Sequence, residues 1–343
     1  MTGQDASSPS SVFARPVPER RFPQRLTLRL DDGYETYAYV HRPVQDRGRL
    51  PVLYVHGIQS HPGWFVGSAL ALADAGHTVF QVARRGSGEN RRARGDAASA
   101  DRLLRDLGAA CRFIRQDTGA DRLHLLGVSW GGKLVCALAA ETNRIAWWDA
   151  GPGEPSRAKW GSWPTAPEAP HRPIGVASVT LVSPGIVPKM DVSPLMKLAI
   201  AACLILCRRR TFAIPLSDVE LFTDNEPMRE YLRGDPYRLQ RATARFLYAS
   251  RRLDRSLRRA PAGALKAPTT LILAARDRII DNSRTREVIG RLSADRAVVE
   301  ELEGSHTLEF QPDPRPFYAA LVSAVSRGEA GEPVGRGQYP VPK

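Results

Sequence analysis

Long apolar runs are missing from this chain of 343 residues. No stretch approaches the roughly 18 uncharged apolar residues that a membrane-spanning helix needs, so we predict none. The opening segment, MTGQDASSPSSVFARPVPER, also lacks the apolar stretch of a secretory signal. With 43% hydrophobic residues the chain can bury a substantial core. We therefore expect a globular protein in the cytoplasm.

Cysteine and lysine are both scarce. The four cysteines lack the spacing of a metal site, and a chain of this size does not need disulfides, so we predict reduced thiols. Only six of the 49 basic residues are lysine, which makes the net charge of +13 look as much like compositional bias as like adaptation to a partner. The basic clusters at 91–94, 207–210 and 251–259 are not interleaved with aromatic residues. We expect these clusters to be solvated surface, and we predict no nucleic-acid partner.

Buried strands and amphipathic helices alternate along most of the chain. Two alternating segments, 25–30 and 35–42, are joined by a turn and predict a β-hairpin. Apolar runs then predict buried strands at 50–57, 175–183 and 268–275, and further strands are predicted at 77–83, 122–128 and 297–302. Helical spacing separates several of these runs and recurs at 315–326. The order predicts an α/β fold with a doubly wound, mostly parallel sheet.

Two segments interrupt this alternation. Residues 142–173 are rich in proline and glycine and hold four of the six tryptophans, which fits either a packed loop or an interfacial contact. Residues 186–262 have apolar and basic helical stretches but no clear strand, and we predict a helical cap or lid there. The core is predicted at 25–185 together with 263–326. Flexible ends are predicted at 1–24 and 327–343.

Ser129 lies in the stretch HLLGVSWGGKLV, directly after a predicted strand and directly before a predicted helix. This is the setting of a nucleophile elbow, a tight turn that exposes a serine hydroxyl at a helix N-terminus. Gly127 and Gly131, two residues before and two after the serine, leave room for such a turn. The alternative is an ordinary glycine turn that happens to contain a serine.

A serine nucleophile needs a base, and the base needs a carboxylate that orients it. His306 is the only histidine after the predicted cap, and it lies in a loop between a strand and a helix. Asp277 follows the strand predicted at 268–275, and Asp281 is the alternative acid. We therefore predict a triad of Ser129, Asp277 and His306 that needs neither a metal nor an organic cofactor.

Acyl transfer also needs two backbone N–H donors that bind the oxyanion of the tetrahedral intermediate. The residue after the nucleophile, Trp130, is expected to supply one. The loop VHGIQSHPG, which follows the first buried parallel strand, is expected to supply the other from Ile58. The Trp130 side chain is expected to restrict which acyl groups fit.

These motifs resemble those of the monoglyceride lipase and lysophospholipase-like (serine aminopeptidase-like) branch of the α/β-hydrolases. YVHGIQSH resembles the oxyanion loop of the family, GVSWGG its nucleophile elbow, AARDRIID its acid loop and GSHTLEF its histidine loop. The stretch SDVELFTDNEPMREYLRGDPY resembles the end of the family's cap. The resemblance covers about residues 25–326 and implies the α/β-hydrolase fold with an inserted helical cap.

The chain departs from the family pattern in three places. Val128 and Trp130 stand where the family often has histidine and methionine. The loop RRGSGEN, residues 84–90, is more basic than the corresponding family loop, and the segment 142–173 has no expected counterpart. These departures affect the substrate and leave the reaction type unchanged.

The resemblance implies a serine hydrolase acting on carboxylic esters of apolar acyl groups, such as monoacylglycerols or lysophospholipids. A thioesterase, an amidase or peptidase, and a non-catalytic binding protein on the same scaffold are the alternatives. Residues 194–207 are 14 residues with a single charge, followed by basic residues up to Arg210. The cap helix at 194–210 could touch an anionic membrane surface, or it could be buried between cap and sheet.

Overall fold

The computed structural model describes residues 12–141 and 174–330. The whole of the tryptophan-rich insertion predicted at 142–173, and the ends of the chain at 1–11 and from 331, lie outside the described residues. Within the described ranges, no helix combines the length and apolarity needed to cross a bilayer.

A sheet of eight strands forms the centre of the protein. Its order is β1-β2-β4-β3-β5-β6-β9-β10, and only β2 runs against its neighbours. The central strands are buried on both faces, as their near-continuous apolar sequences predicted. The strands are β1 (Gln24–Arg29), β2 (Glu35–His41), β3 (Val52–Val55), β4 (Val79–Val82), β5 (Arg122–Val128), β6 (Gly175–Val182), β9 (Thr269–Ala274) and β10 (Val298–Leu302).

Helices cover this sheet, so the predicted mostly parallel, doubly wound α/β architecture is confirmed. Helix α1 packs against α8, whereas α2, α3 and α6 pack against one another. The helices are α1 (Val66–Asp74), α2 (Ala100–Thr118), α3 (Trp130–Glu141), α4 (Pro194–Leu206), α5 (Glu226–Gly234), α6 (Ala244–Arg259), α7 (Asn282–Ser293) and α8 (Arg315–Ala330).

The segment 186–262 contains helices α4, α5 and α6, but it also contains two strands that the sequence analysis did not predict. Strands β7 (Thr211–Ala213) and β8 (Arg241–Thr243) form a separate antiparallel pair. Each strand has only three residues, too few for a period-two pattern to stand out from the surrounding sequence.

Described residues near both ends of the chain make contacts with the rest of the protein. Val12 and Phe13 are buried, and the Arg15 guanidinium donates to the carbonyl oxygens of Glu309 and Gln311. Within the expected flexible leader, Val12, Phe13 and Arg15 therefore contact the core, whereas most of residues 16–24 are exposed. At the other end α8 continues past 326 to Ala330, with Arg327 donating to Glu300.

Candidate active site

Ser129 lies between β5 and α3 in a tight turn. Its backbone has a φ of +53°, a left-handed conformation that non-glycine residues rarely adopt. The Ser129 carbonyl accepts hydrogen bonds from the N–H groups of Gly132 and Gly185, at 2.9 and 2.7 Å. These bonds hold the turn in its strained conformation and leave the hydroxyl free to project from it.

Gly127 and Gly131 are required by close backbone packing around this turn. A Cβ atom on Gly127 would lie 2.6 Å from the Gly131 carbonyl oxygen, and one on Gly131 would lie 2.3 Å from the Val55 carbonyl oxygen. Both separations are far shorter than real carbon–oxygen contacts, so a side chain at Gly127 would push the start of α3 away from β5, and one at Gly131 would push it away from β3.

The structure brings Ser129, His306 and Asp277 together from three separate loops. The His306 Nε2 atom lies 2.9 Å from the Ser129 Oγ, and the His306 Nδ1 atom lies 2.8 Å from the Asp277 Oδ2. Because a carboxylate only accepts, Nδ1 carries the proton and Nε2 is left to accept from the serine hydroxyl. His306 and Asp277 are both buried.

The loop after β9 orients the Asp277 carboxylate. Its Oδ1 atom accepts the backbone N–H groups of Ile279 and Ile280, at 2.8 and 2.9 Å. Burial by itself raises the pKa of Asp277, but the charge and hydrogen bond of His306 and these two N–H groups outweigh it and hold the pKa below its ordinary value. Asp277 therefore stays ionised beside His306.

Asp281, the alternative acid, has a different position. It precedes helix α7, and its Oδ1 accepts the backbone N–H of Arg284 at 3.0 Å. This is the geometry of a helix N-cap. Asp281 therefore stabilises the start of α7, and the structure pairs His306 with Asp277.

Ile58 and Trp130 lie on either side of Ser129 and line the same cavity. A Cβ atom on Gly57 would be 3.2 Å from the Ser129 Cβ, which shows how closely this loop approaches the serine. In the described part of the chain, no group accepts the backbone N–H of Ile58 or of Trp130. Both N–H groups are thus available to a ligand at Ser129.

Arg84 is a buried residue beside this site that the sequence analysis did not single out. Its guanidinium lies 4.7 Å from the centre of the Trp130 ring, and its Nη2 atom donates to the carbonyl oxygens of Gly57 and Ile58, at 2.7 and 2.8 Å. The unusually basic loop at 84–90 was the available signal. Sequence alone could not separate Arg84 from Arg85, which pairs with Asp106.

A cavity of about 740 Å³ opens beside Ser129. Most of its lining is apolar and comes from the loops at the sheet edge and from the segment 186–262, including Ile186, Ile200, Leu204, Ile214, Leu247 and Ile280. One part of its wall is polar, where the Lys133 ammonium contacts the Asp254 carboxylate at 2.6 Å. The cavity can therefore accept a largely apolar ligand.

Helix α4 forms part of this cavity wall without burying any of its own residues. Ile200 and Leu204 face the cavity, whereas Leu195, Leu198 and Ile205 are 77%, 68% and 82% exposed. The interpretation of this segment as a helix buried between cap and sheet is therefore wrong. Four of its thirteen residues are large hydrophobic side chains in water, Leu206 being the fourth.

Among the described residues, one group has the composition of a metal site. His77, His124 and Glu329 each offer a ligand atom, and these atoms lie within 4.8 Å of one another. The group is built at the amino-terminal ends of β4 and β5, and the His77 Nδ1 already donates to the Leu50 carbonyl at 2.8 Å. It therefore lies at the sheet edge opposite Ser129 and takes no part in the site there.

Comparison with known families gives a match to the serine aminopeptidase S33 family over residues 47–148 and 161–313. The chain belongs to this family. The resemblance drawn from the oxyanion, elbow, acid and histidine loops is thereby confirmed, and the family is one of hydrolases. A search of curated proteins gave no match.

Solved structures share the fold of this family member. A monoglyceride lipase from Saccharomyces cerevisiae, solved with a substrate analogue, has a TM-score of 0.70 at 16% identity, covering 89% of this chain and 95% of its own. A monoacylglycerol lipase from Paleococcus ferrophilus has a TM-score of 0.65 at 18% identity, covering 85% and 99%. A carboxyl esterase from Bacillus coagulans, in complex with glycerol, gives 0.66 at 13% identity, covering 89% and 98%. At these identities the likeness establishes the α/β-hydrolase fold.

Proposed function

We propose that this protein is a serine hydrolase that cleaves carboxylic esters of apolar acyl groups, of the monoacylglycerol or lysophospholipid kind. The observation that carries the proposal is the hydrogen-bonded series Asp277–His306–Ser129 at the wall of a mainly apolar cavity. The structural neighbours named as monoglyceride lipases and as a carboxyl esterase support the same substrate class.

In the acylation step, the Ser129 Oγ attacks the ester carbonyl carbon while the His306 Nε2 takes the hydroxyl proton. The carbonyl oxygen becomes an oxyanion, and the N–H groups of Ile58 and Trp130 are the proposed donors to it. Asp277 holds the His306 tautomer and stabilises its charged form. When the tetrahedral intermediate collapses, His306 returns the proton to the departing alcohol, and the acyl group remains on Ser129.

In the deacylation step, water replaces the alcohol. His306 removes a proton from the water as its oxygen attacks the acyl carbon, and a second tetrahedral intermediate uses the same N–H donors. Its collapse transfers the proton to the Ser129 Oγ and releases the carboxylic acid. The enzyme is regenerated, and the net reaction is ester plus water to acid plus alcohol, without metal or organic cofactor.

A hydrolysis panel tests the substrate class. Glycerol monoesters, lysophospholipids, acyl-CoA thioesters and peptides should be compared at matched acyl length, and we expect the oxygen esters to have the highest kcat/KM. Higher turnover of thioesters or of peptides would replace the proposal with a thioesterase or a peptidase on the same triad. Failure of a fluorophosphonate to label Ser129 would indicate the third alternative, a non-catalytic binding protein.

We also propose that residues 186–262 act as the cap of this hydrolase, with the core at 25–185 and 263–326. The exposed apolar side of α4 then becomes a contact for a lipid surface, because its leucine and isoleucine side chains are followed directly by Arg208 to Arg210. An apolar helix face next to basic residues favours peripheral binding to anionic membranes. The proposed location is the cytoplasm, with peripheral association at the membrane.

Vesicle binding tests this contact. Replacing Leu195, Leu198 and Ile205 by serine should weaken co-sedimentation with anionic phosphatidylglycerol vesicles, whereas turnover of a short water-soluble ester should change little. Phosphatidylcholine vesicles provide the matched control for the charge of Arg208 to Arg210. Unchanged co-sedimentation of the triple variant would contradict the contact.

A further inference from the structure

Among the residues that the structure describes, Arg84 is a buried cation without an anionic partner. Its side chain is 5% exposed, and in the described part of the chain no carboxylate forms an ion pair with it. Two of its donor atoms, Nε and Nη1, are buried without a hydrogen-bond partner. Unpaired buried charges are costly and therefore rare unless something else requires them.

The next residue, Arg85, shows what an ordinary buried arginine looks like here. Its Nε and Nη2 atoms donate to both oxygens of Asp106, at 2.9 and 3.0 Å, and Nη2 also contacts Asp32. Its guanidinium packs on the Tyr34 ring at 4.3 Å. The charge of Arg85 is therefore compensated by carboxylates, and its contacts join core elements that lie away from Ser129.

Arg84 makes its contacts with the two segments that flank Ser129. One Arg84 Nη2 atom donates to two successive carbonyls, those of Gly57 and Ile58. The Gly57 carbonyl is also 2.9 Å from the His56 Nδ1, which must donate because a carbonyl only accepts. Arg84 and His56 thus both donate to the Gly57 carbonyl and fix its direction.

The orientation of this carbonyl determines the orientation of the Ile58 N–H. The two groups belong to one planar trans peptide unit, in which the C=O and the N–H point in opposite directions. A Gly57 carbonyl held towards Arg84 therefore directs the Ile58 N–H away from Arg84. Gly57 also lies directly against Ser129, so the N–H is held at the serine by the same contacts.

The same guanidinium supports the other segment. The Trp130 ring lies 4.7 Å from the Arg84 carbon, and Phe246 stacks with the ring at a centroid distance of 5.1 Å. The Trp130 Nε1 atom donates to the Ser250 Oγ at 2.9 Å. Trp130 is thereby fixed at the start of α3, where its backbone N–H adjoins Ser129.

We infer that Arg84 is a positioning residue that holds both backbone N–H donors, those of Ile58 and Trp130, in place for the oxyanion. This inference rests on the proposed hydrolase function. Arg84 acts through the loop and the ring, and its charge adds a positive potential behind the donors, where negative charge develops in the transition state.

The stability cost of burying the Arg84 charge distinguishes a positioning role from a purely structural one. Burial lowers the pKa of Arg84 to about 9. The side chain is still cationic at neutral pH, but burying its charge destabilises the folded state. Replacing it by a neutral side chain of similar length should relieve that cost. A purely structural arginine would have the opposite effect, because its loss would lower the thermal midpoint.

The test compares Arg84→Met and Arg84→Lys with Arg85→Lys. For Arg84→Met we expect kcat on a soluble ester to fall about 10- to 100-fold, below the 10²- to 10³-fold loss of a whole oxyanion donor. KM should change little, and affinity for a trifluoromethyl ketone, which forms an oxyanion on the serine, should fall by the same factor as kcat. The thermal midpoint should stay level or rise.

The two lysine variants are the matched pair. Arg84→Lys keeps the charge but not the planar guanidinium, so kcat and ketone affinity should lie between those of wild type and Arg84→Met. Arg85→Lys should lower the thermal midpoint and leave ketone affinity near wild type. If Arg84→Met does not fold, the ketone affinity of Arg84→Lys against Arg85→Lys decides the question.

Two results would overturn the inference. One is unchanged kcat and ketone affinity in the Arg84 variants. The other is a loss of kcat that accompanies a lower thermal midpoint equally in the Arg84 and Arg85 variants. Wild-type protein that neither hydrolyses esters nor reacts with a fluorophosphonate would instead contradict the proposed function, and the inference would fall with it.

Discussion

Serine, histidine and a carboxylate meet at both edges of the central sheet, but with different consequences. At the carboxyl-terminal edge, His306 is 2.9 Å from Ser129 and 2.8 Å from Asp277. Near the amino-terminal edge, the His124 Nδ1 is 2.8 Å from the Ser178 Oγ, and its Nε2 is 3.6 Å from Glu329. The same residue types therefore occur in the same order of contact twice.

The surroundings separate the two groups. Ser129 lies in a strained turn at a helix start, beside a cavity and two available N–H groups. Ser178 lies within β6 and is buried against α8, so closely that a Cβ atom on Gly328 would be 2.3 Å from its own Cβ. A hydrogen-bonded serine and histidine are thus expected to be reactive only where a substrate can reach them and where backbone N–H groups can bind the oxyanion.

The largest expected effect separates the two serines. Ser129→Ala should reduce kcat about a million-fold, because the attacking atom is lost, and should abolish fluorophosphonate labelling. Ser178→Ala should retain both ester turnover and fluorophosphonate labelling. The measurements are initial rates of ester hydrolysis and mass spectrometry of the labelled peptide. Labelling that persists in Ser129→Ala would move the nucleophile elsewhere.

The two carboxylates should differ almost as strongly. Asp277→Asn should lower kcat about 10⁴-fold, because an amide favours the wrong His306 tautomer. Glu329→Gln should keep wild-type turnover, and Asp281→Ala should lose only the cap of α7. Initial rates on a soluble ester, with circular dichroism as a folding control, distinguish these cases. Normal turnover in Asp277→Asn would assign the acid to another residue.

The smallest effect concerns acid stability. Burial, aided by the neighbouring His77, lowers the pKa of His124 from 6.5 to about 4. Between these pH values the unfolded chain binds a proton that the folded chain refuses, so stability falls as the pH drops from about 6.5 to about 4 and no further below. The lowered pKa of Asp277 acts only under more acidic conditions, as the pH falls below 3.8.

His124→Gln tests this difference between the edges. Across that pH window, its free energy of unfolding should decrease by roughly 3 kcal/mol less than that of the wild type, as measured by urea titrations at several pH values. His41, whose pKa burial also lowers to about 4, is present in both proteins and contributes the same slope to each. Identical pH profiles would contradict the assignment.

Much of the architecture could be predicted because it follows from local patterns of apolar and polar residues. Runs such as VLYV and TTLILA are mainly apolar and form strands inside the sheet. The elbow, acid and histidine loops could be predicted for a similar reason, since each follows a strand that the local sequence predicts. Their chain order indicated the triad, and the folded chain brings Ser129, Asp277 and His306 within hydrogen-bonding distance.

What was missed depends on contacts between distant parts of the chain. Strands β7 and β8 pair across 27 intervening residues, and Phe13 becomes buried against Tyr39 and Phe22. Asp277 and Asp281 are both plausible acids in a linear reading, and only loop geometry assigns the first to His306 and the second to a helix cap.

The order of residues along the chain was enough for the fold class, the family and the identity of the candidate nucleophile, because buried strands and tight glycine turns are local. The folded structure decided which of two adjacent arginines supports Ile58 and Trp130, and which of two serine–histidine–carboxylate groups adjoins a cavity. Those distinctions depend on burial and direction in three dimensions. Neighbouring residues in a chain can point to opposite sides of a loop, and a sequence pattern does not specify which groups each side chain contacts there.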